Sequence, residues 1–133
     1  MNPARAQVRQ GSAAAIAQPP RVNPSAFPDA GGEQLAAIVA RLVAGFDPLL
    51  IHLFGSAARG EAGADSDYDL LLVVADSQQA GLAASRRAAS LLWGVPFAAD
   101  VLVMRDSRFR AEAAVAGSLP AAVLAEGRLL YER

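Results

Sequence analysis

The sequence predicts an α/β or α+β domain in which helices cover a sheet, mainly on one face. Three observations point there. Residues 33–46 carry the 3.6-residue apolar period of a helix. Apolar runs of strand length follow at 49–54, 68–75 and 97–104. Helical stretches alternate with those runs, and Gly or Pro stands at most junctions. The 133 residues fit one domain of ordinary size.

The elements follow in order. Residues 1–30 are rich in Ala, Gln and Pro, and Pro19-Pro20, Pro24 and Pro28 forbid a continuous helix, so this stretch reads as a flexible extension to a domain at 31–133. Leu35, Ile38, Val39, Leu42, Val43 and Phe46 form one apolar stripe, and Asp47-Pro48 breaks that helix. Leu49 to Phe54 reads as a buried strand. Gly55-Ser56 turns the chain, and Ala57 to Gly60 starts a short helix. Glu61 to Ser66 is a polar loop. Tyr68 to Ala75 is the second strand, with Leu70, Leu72 and Val74 on the face opposite its acids. Ser77 is the expected N-cap of a helix running to about Trp93, where Gly94 and Pro96 stop it. Phe97 to Met104 is a third strand. Asp106 or Ser107 is expected to cap a helix through Ala116, Ser118 a last short helix ended by Gly127, and Arg128 to Tyr131 to form a final strand. Trp93 and Phe97 are expected in the core, and Arg86-Arg87 on a solvated helix face, with docking or RNA contact as the alternative.

Composition narrows the chemistry. With 53% hydrophobic and 19% charged residues a globular core is within reach, but at 6% aromatics it is thin and aliphatic, such as a partner surface could complete. There is no Cys and one His, so disulfides, thiolate sites and His-based zinc sites are out, and a metal has to be held by oxygen. No Lys is present, which excludes a lysine nucleophile and a P-loop lysine. A net charge of −1 argues against broad nucleic-acid binding and leaves room only for a local Arg patch. No apolar run reaches the ~20 residues of a membrane span, and residues 13–17 are too mildly apolar for a secretion signal, so the expected location is the cytoplasm.

The chemistry concentrates in one run. An apolar strand ends in Gly55-Ser56, and after a ten-residue spacer Asp67-Tyr68-Asp69 opens a second apolar strand. Alternation places Asp67 and Asp69 on one face, about 7 Å apart. Two carboxylates on one face repel and call for a cation, and a hard divalent ion suits an all-oxygen site completed by substrate phosphates. Gly55 allows close backbone approach, and Ser56 adds a hydroxyl donor or an N-cap. Asp100 is a lone acid within the apolar run 97–104, a costly position unless compensated. If that strand lies beside the second, Asp100 completes a three-carboxylate cluster. Asp106 is its rival, though it reads better as a cap. Arg59 has two readings, a phosphate brace or an ion pair with Glu61 or Asp65. His52 reads as a satisfied sheet residue.

Gly55-Ser56, the spacer and Asp67-x-Asp69 resemble the nucleotidyltransferase signature of the DNA polymerase β superfamily, and the short chain is similar to the minimal nucleotidyltransferases (MNT) of prokaryotes. The resemblance is strong over 49–75, extends over 76–133 and leaves out 1–30. It implies a polymerase β-like fold with a mixed sheet. It implies transfer of a nucleoside monophosphate, AMP from ATP, onto a hydroxyl with release of pyrophosphate. Asp67, Asp69 and Asp100 would hold one or two Mg2+ ions, the last on the side of the attacking hydroxyl, while Gly55, Ser56 and Arg59 would hold the β- and γ-phosphates. Minimal nucleotidyltransferases of this kind often serve as antitoxins to a small helical HEPN-domain protein, which implies a partner-supplied acceptor and a homo- or hetero-oligomer. Transfer to a small molecule, a catalytically silent partner-binding module and a nucleic-acid-binding protein are the alternatives.

Overall fold

The computed structural model describes residues 32–59, 68–95 and 98–133. The expected extension at 1–30, the loop acids Glu61 and Asp65, Ser66, Asp67 and Phe97 lie outside the described residues. In chain order the elements are α1 (Gly32–Phe46), β1 (Leu50–Phe54), α2 (Gly55–Ala58), β2 (Tyr68–Val74), α3 (Leu82–Leu91), β3 (Ala99–Arg105), α4 (Asp106–Ala113), α5 (Leu119–Glu126) and β4 (Arg128–Glu132). This is the α+β arrangement the sequence predicts.

The sheet is mixed, in the order β3-β2-β1-β4. β1 runs antiparallel to β2 and β4, and β2 runs parallel to β3. The long helices α1 and α3 lie on one face. There Leu35, Ile38, Val39, Leu42 and Phe46 of α1 meet Ile51, Leu53, Leu70, Leu72 and Val74 in the main core. The apolar stripe of α1 is buried as its spacing requires, with Val43 at its margin. The shorter α4 and α5 cover part of the second face, where Leu71, Val73, Phe109 and Val123 form a smaller cluster. In the pairing of β1 with β4 the register slips between Ile51 and His52. The irregularity lets the adjacent Leu130 and Tyr131 both enter the main core.

Four expectations are corrected. Ser77 caps no helix: α3 starts at Leu82 with Gly81 as N-cap. The intervening turn is used otherwise, since Gly81 N–H donates to Val103 O at 3.1 Å and holds the turn against β3. Asp106 and Ser107 do not cap α4, whose N-cap is Arg105. Asp76 supplies the cap from across the fold, its Oδ1 accepting from Ser107 N–H at 2.9 Å. That bond, with the Ser107 hydroxyl, holds the Asp76 carboxyl below its usual value. Trp93 is 86% exposed rather than core. The buried stripe of α3 runs through Ala84 and Ala88, and Trp93 falls beyond the helix and off that stripe. The short helix after β1 starts directly at Gly55 rather than at Ala57. Gly55 takes φ +75, which turns the chain from strand into helix within one residue.

Candidate active site

The smaller helices leave one end of the second sheet face uncovered. That end begins with Asp69, second residue of β2, whose Cα partner across the antiparallel pairing is Phe54 of β1. On the other side its partner is Asp100, second residue of β3. The parallel register therefore puts the two acids side by side on neighbouring strands, which lie about 4.8 Å apart. Both line one groove of about 530 Å³ together with Phe54, Leu102, Ala89 and Arg86. Asp100 is exposed and Asp69 half-buried.

Gly55 stands against this pair. A β-carbon on Gly55 would come within 2.5 Å of Asp69 Oδ2. The end of β1 thus comes close to the carboxylate, which a side chain at position 55 would have to push aside. Ser56 follows at the start of α2. Arg59, just after α2, reaches Glu126 at a long 3.9 Å, both side chains being largely exposed. Arg128 Nε donates to Ala58 O at 2.7 Å and ties the end of α2 to β4.

The structure thus gathers Gly55, Asp69 and Asp100, with Ser56 and Arg59 on the β1 side. Asp67 lies outside the described residues. Among the described residues no group of three or more His, Asp or Glu side chains is placed to hold a metal ion. The donors that are present, two carboxylates on adjacent strands at an open groove, suit a hard divalent cation. Asp106 is ruled out as the third acid. It lies at the far end of β3, at the start of α4, and pairs with Arg110 at 2.7 Å.

Two further expectations change at the site. Arg86 and Arg87 read alike in the sequence but part ways in space. Arg87 donates to Gly45 O and lies 4.5 Å over the Phe46 ring, whereas Arg86 lines the groove with the two acids. The signal that separates them is helical phase relative to Ala84 and Ala88, visible once α3 is placed beside β3. His52 is not fully satisfied. It is 6% exposed, stacks on Phe109 with centroids 6.0 Å apart, and its buried Nδ1 has no hydrogen-bond partner. Burial pushes its pKa below the usual value, and the charge of Glu132 pulls it partly back.

Comparison with known proteins agrees with the fold. Residues 33–110 match the model of the nucleotidyltransferase domain family. A crystal structure of a Sulfolobus solfataricus protein assigned to the nucleotidyltransferases superposes with a TM-score of 0.53 at 20% identity, over 76% of this chain and 79% of that one. A toxin–antitoxin structure with AMP-PNP superposes with a TM-score of 0.51 at 22% identity, over 73% of each chain. At these identities the likeness is one of fold. No curated protein matches the sequence. Among the described residues no helix is long and apolar enough to cross a membrane. The family match spans α1 through most of α4 and takes in the Gly55 turn, Asp69 and Asp100, so the chain belongs to the nucleotidyltransferase domain family.

Proposed function

We propose that the chain transfers a nucleoside monophosphate, AMP from ATP, onto a hydroxyl of a partner protein, in the manner of an antitoxin acting on a small helical HEPN-domain protein. One observation carries the catalytic part: Asp69 and Asp100 are register partners on neighbouring strands, with the Gly55 backbone against Asp69. The toxin–antitoxin neighbour, solved with AMP-PNP, supports a protein partner and an adenine nucleotide. The near-neutral charge fits a protein acceptor better than a nucleic acid.

Asp67, Asp69 and Asp100 would hold the divalent ions, which supply charge neutralisation at the triphosphate and acidify the attacking hydroxyl. The chain's own residues do the positioning. Gly55 and Ser56 offer backbone and hydroxyl donors to the β- and γ-phosphates, and Arg59 exchanges its long, exposed pairing with Glu126 for a phosphate. Asp100, on the β3 side, would hold the ion beside the attacking hydroxyl and accept its proton as the oxygen bonds the α-phosphorus and pyrophosphate leaves. No covalent enzyme intermediate is needed, because alignment and electrostatics suffice for phosphoryl chemistry.

The test is incubation of the chain with α-labelled ATP, Mg2+ and the protein encoded beside it. Label is expected on that protein, and Asp69→Asn or Asp100→Asn is expected to remove it while the fold persists. Complex formation without transfer by the wild type would instead establish a silent binding module.

A further inference from the structure

Arg86 stands apart from its own kind. Every other described arginine has a partner. Arg41 and Arg87 donate to carbonyls of the α1–α3 contact, Arg105 to Gln78 O and Arg128 to Ala58 O. Arg59, Arg108, Arg110 and Arg133 face carboxylates. Among the described residues Arg86 has neither a hydrogen bond nor an ion pair from its guanidinium, although it lines the groove of Asp69 and Asp100.

Its place in the groove follows from the strand order. Gly55 and Ser56 leave β1, on one side of Asp69. Asp100 lies on the other side, on β3, and α3 with Arg86 lies beyond it. In-line displacement puts the attacking and leaving oxygens on opposite sides of the phosphorus. With phosphates at the Gly55 turn, the acceptor enters from the β3–α3 side. That approach is floored by Ala89 and by Leu102, which is 44% exposed. Its wall is the start of β3, the outermost strand of the sheet, ahead of the point where Gly81 N–H takes Val103 O. An extended polypeptide suits an edge strand beside an apolar floor.

We propose that Arg86 is an acceptor-recognition residue, which selects a polypeptide segment carrying a carboxylate side chain close to the hydroxyl to be modified. The proposal rests on the nucleotidyl-transfer reading for the direction of approach. Its charge logic is local. The unpaired guanidinium attracts a carboxylate at the outer end of the groove, so the acceptor is held with that residue beside Arg86.

The test separates this from the transfer reading by using metal-free protein and no nucleotide. Fluorescein-labelled hexapeptides contain one Ser and a Glu within two residues of it, and a matched set has Gln in place of Glu. Binding is read by anisotropy at low salt. The full chain is expected to bind the Glu set about two- to fivefold tighter, the range of an exposed charge pair. Arg86→Ala is expected to remove that preference, and Arg86→Glu to invert it toward a Lys-containing set, with unchanged melting curves. Equal binding of the Glu and Gln sets, a preference that survives Arg86→Glu, or no binding of either set overturns the proposal. A preference that follows residue 86 in a protein showing no Asp69-dependent transfer would leave this inference standing and remove the enzymatic one.

Discussion

At the scale of single residues, the site depends on what stands next to Asp69. Gly55 combines a positive φ with contact to the carboxylate, so Gly55→Ala meets two obstacles. The left-handed conformation costs about 1–2 kcal/mol for an L side chain, and the new methyl drives into Asp69 Oδ2. The variant is expected to melt lower and to lose at least about a hundredfold in transfer, as misplaced catalytic groups do; calorimetry and the labelling assay check both. His52 makes a separate prediction about pH. The folded imidazole binds its proton more weakly than the unfolded one, whose ordinary value is 6.5. The unfolded state therefore takes up more protons below that value, and stability, complete above it, declines as pH falls through 6.5 toward the folded pKa. Urea midpoints at pH 7.5 and 5.5 are expected to differ in the wild type and to converge in His52→Phe, which keeps the stack on Phe109. Asp69 and Asp100 are legible in the sequence because an acid inside an apolar strand is costly unless something compensates its charge. Arg86 stands out there only together with Arg87, as a solvated face or a docking contact, since an exposed helical arginine looks the same whether it faces solvent or a groove. Trp93 is misplaced by its hydrophobicity, which does not reveal that the helix stops at Leu91.

At the scale of elements, the long apolar stripes and strands are readable from periodicity, while several joints are not. The N-terminus of α4 depends on Asp76, 31 positions away in the chain, and no local capping signal records such a partner. Asp76→Ala is expected to free Ser107 N–H and loosen the start of α4, read as faster amide exchange at Ser107. The wild-type bond holds above the ordinary carboxyl value of 3.8 and is lost as pH falls through the lower folded pKa. Gly127 reads as a helix terminator, yet its φ is an ordinary −81. Its role is close approach: an added β-carbon would lie 2.5 Å from Val123 O and 2.8 Å from Leu53 O. Backbone on both sides cannot give way, so Gly127→Ala is expected to cost about 1–3 kcal/mol, the range of an overpacked core, measured by urea unfolding.

At the scale of the whole molecule, one sheet does two jobs. Its α1–α3 face is sealed by aliphatic side chains, and Leu72 at its centre is fully buried. With so few aromatics this layer carries most of the stability, and Leu72→Ala is expected to cost about 2–5 kcal/mol. The other face is covered only in part by two eight-residue helices, and the uncovered end displays the acids. The topology explains the pairing. Only a parallel neighbour entered at the same level brings the second residue of β2 beside the second residue of β3. The most direct measurement is Mn2+ binding in the presence of a non-hydrolysable ATP analogue, followed by electron paramagnetic resonance. Wild-type protein is expected to bind the ion, and Asp69→Asn and Asp100→Asn each to weaken it at least tenfold with the fold intact. Undiminished binding by Asp100→Asn would contradict a shared two-strand carboxylate site.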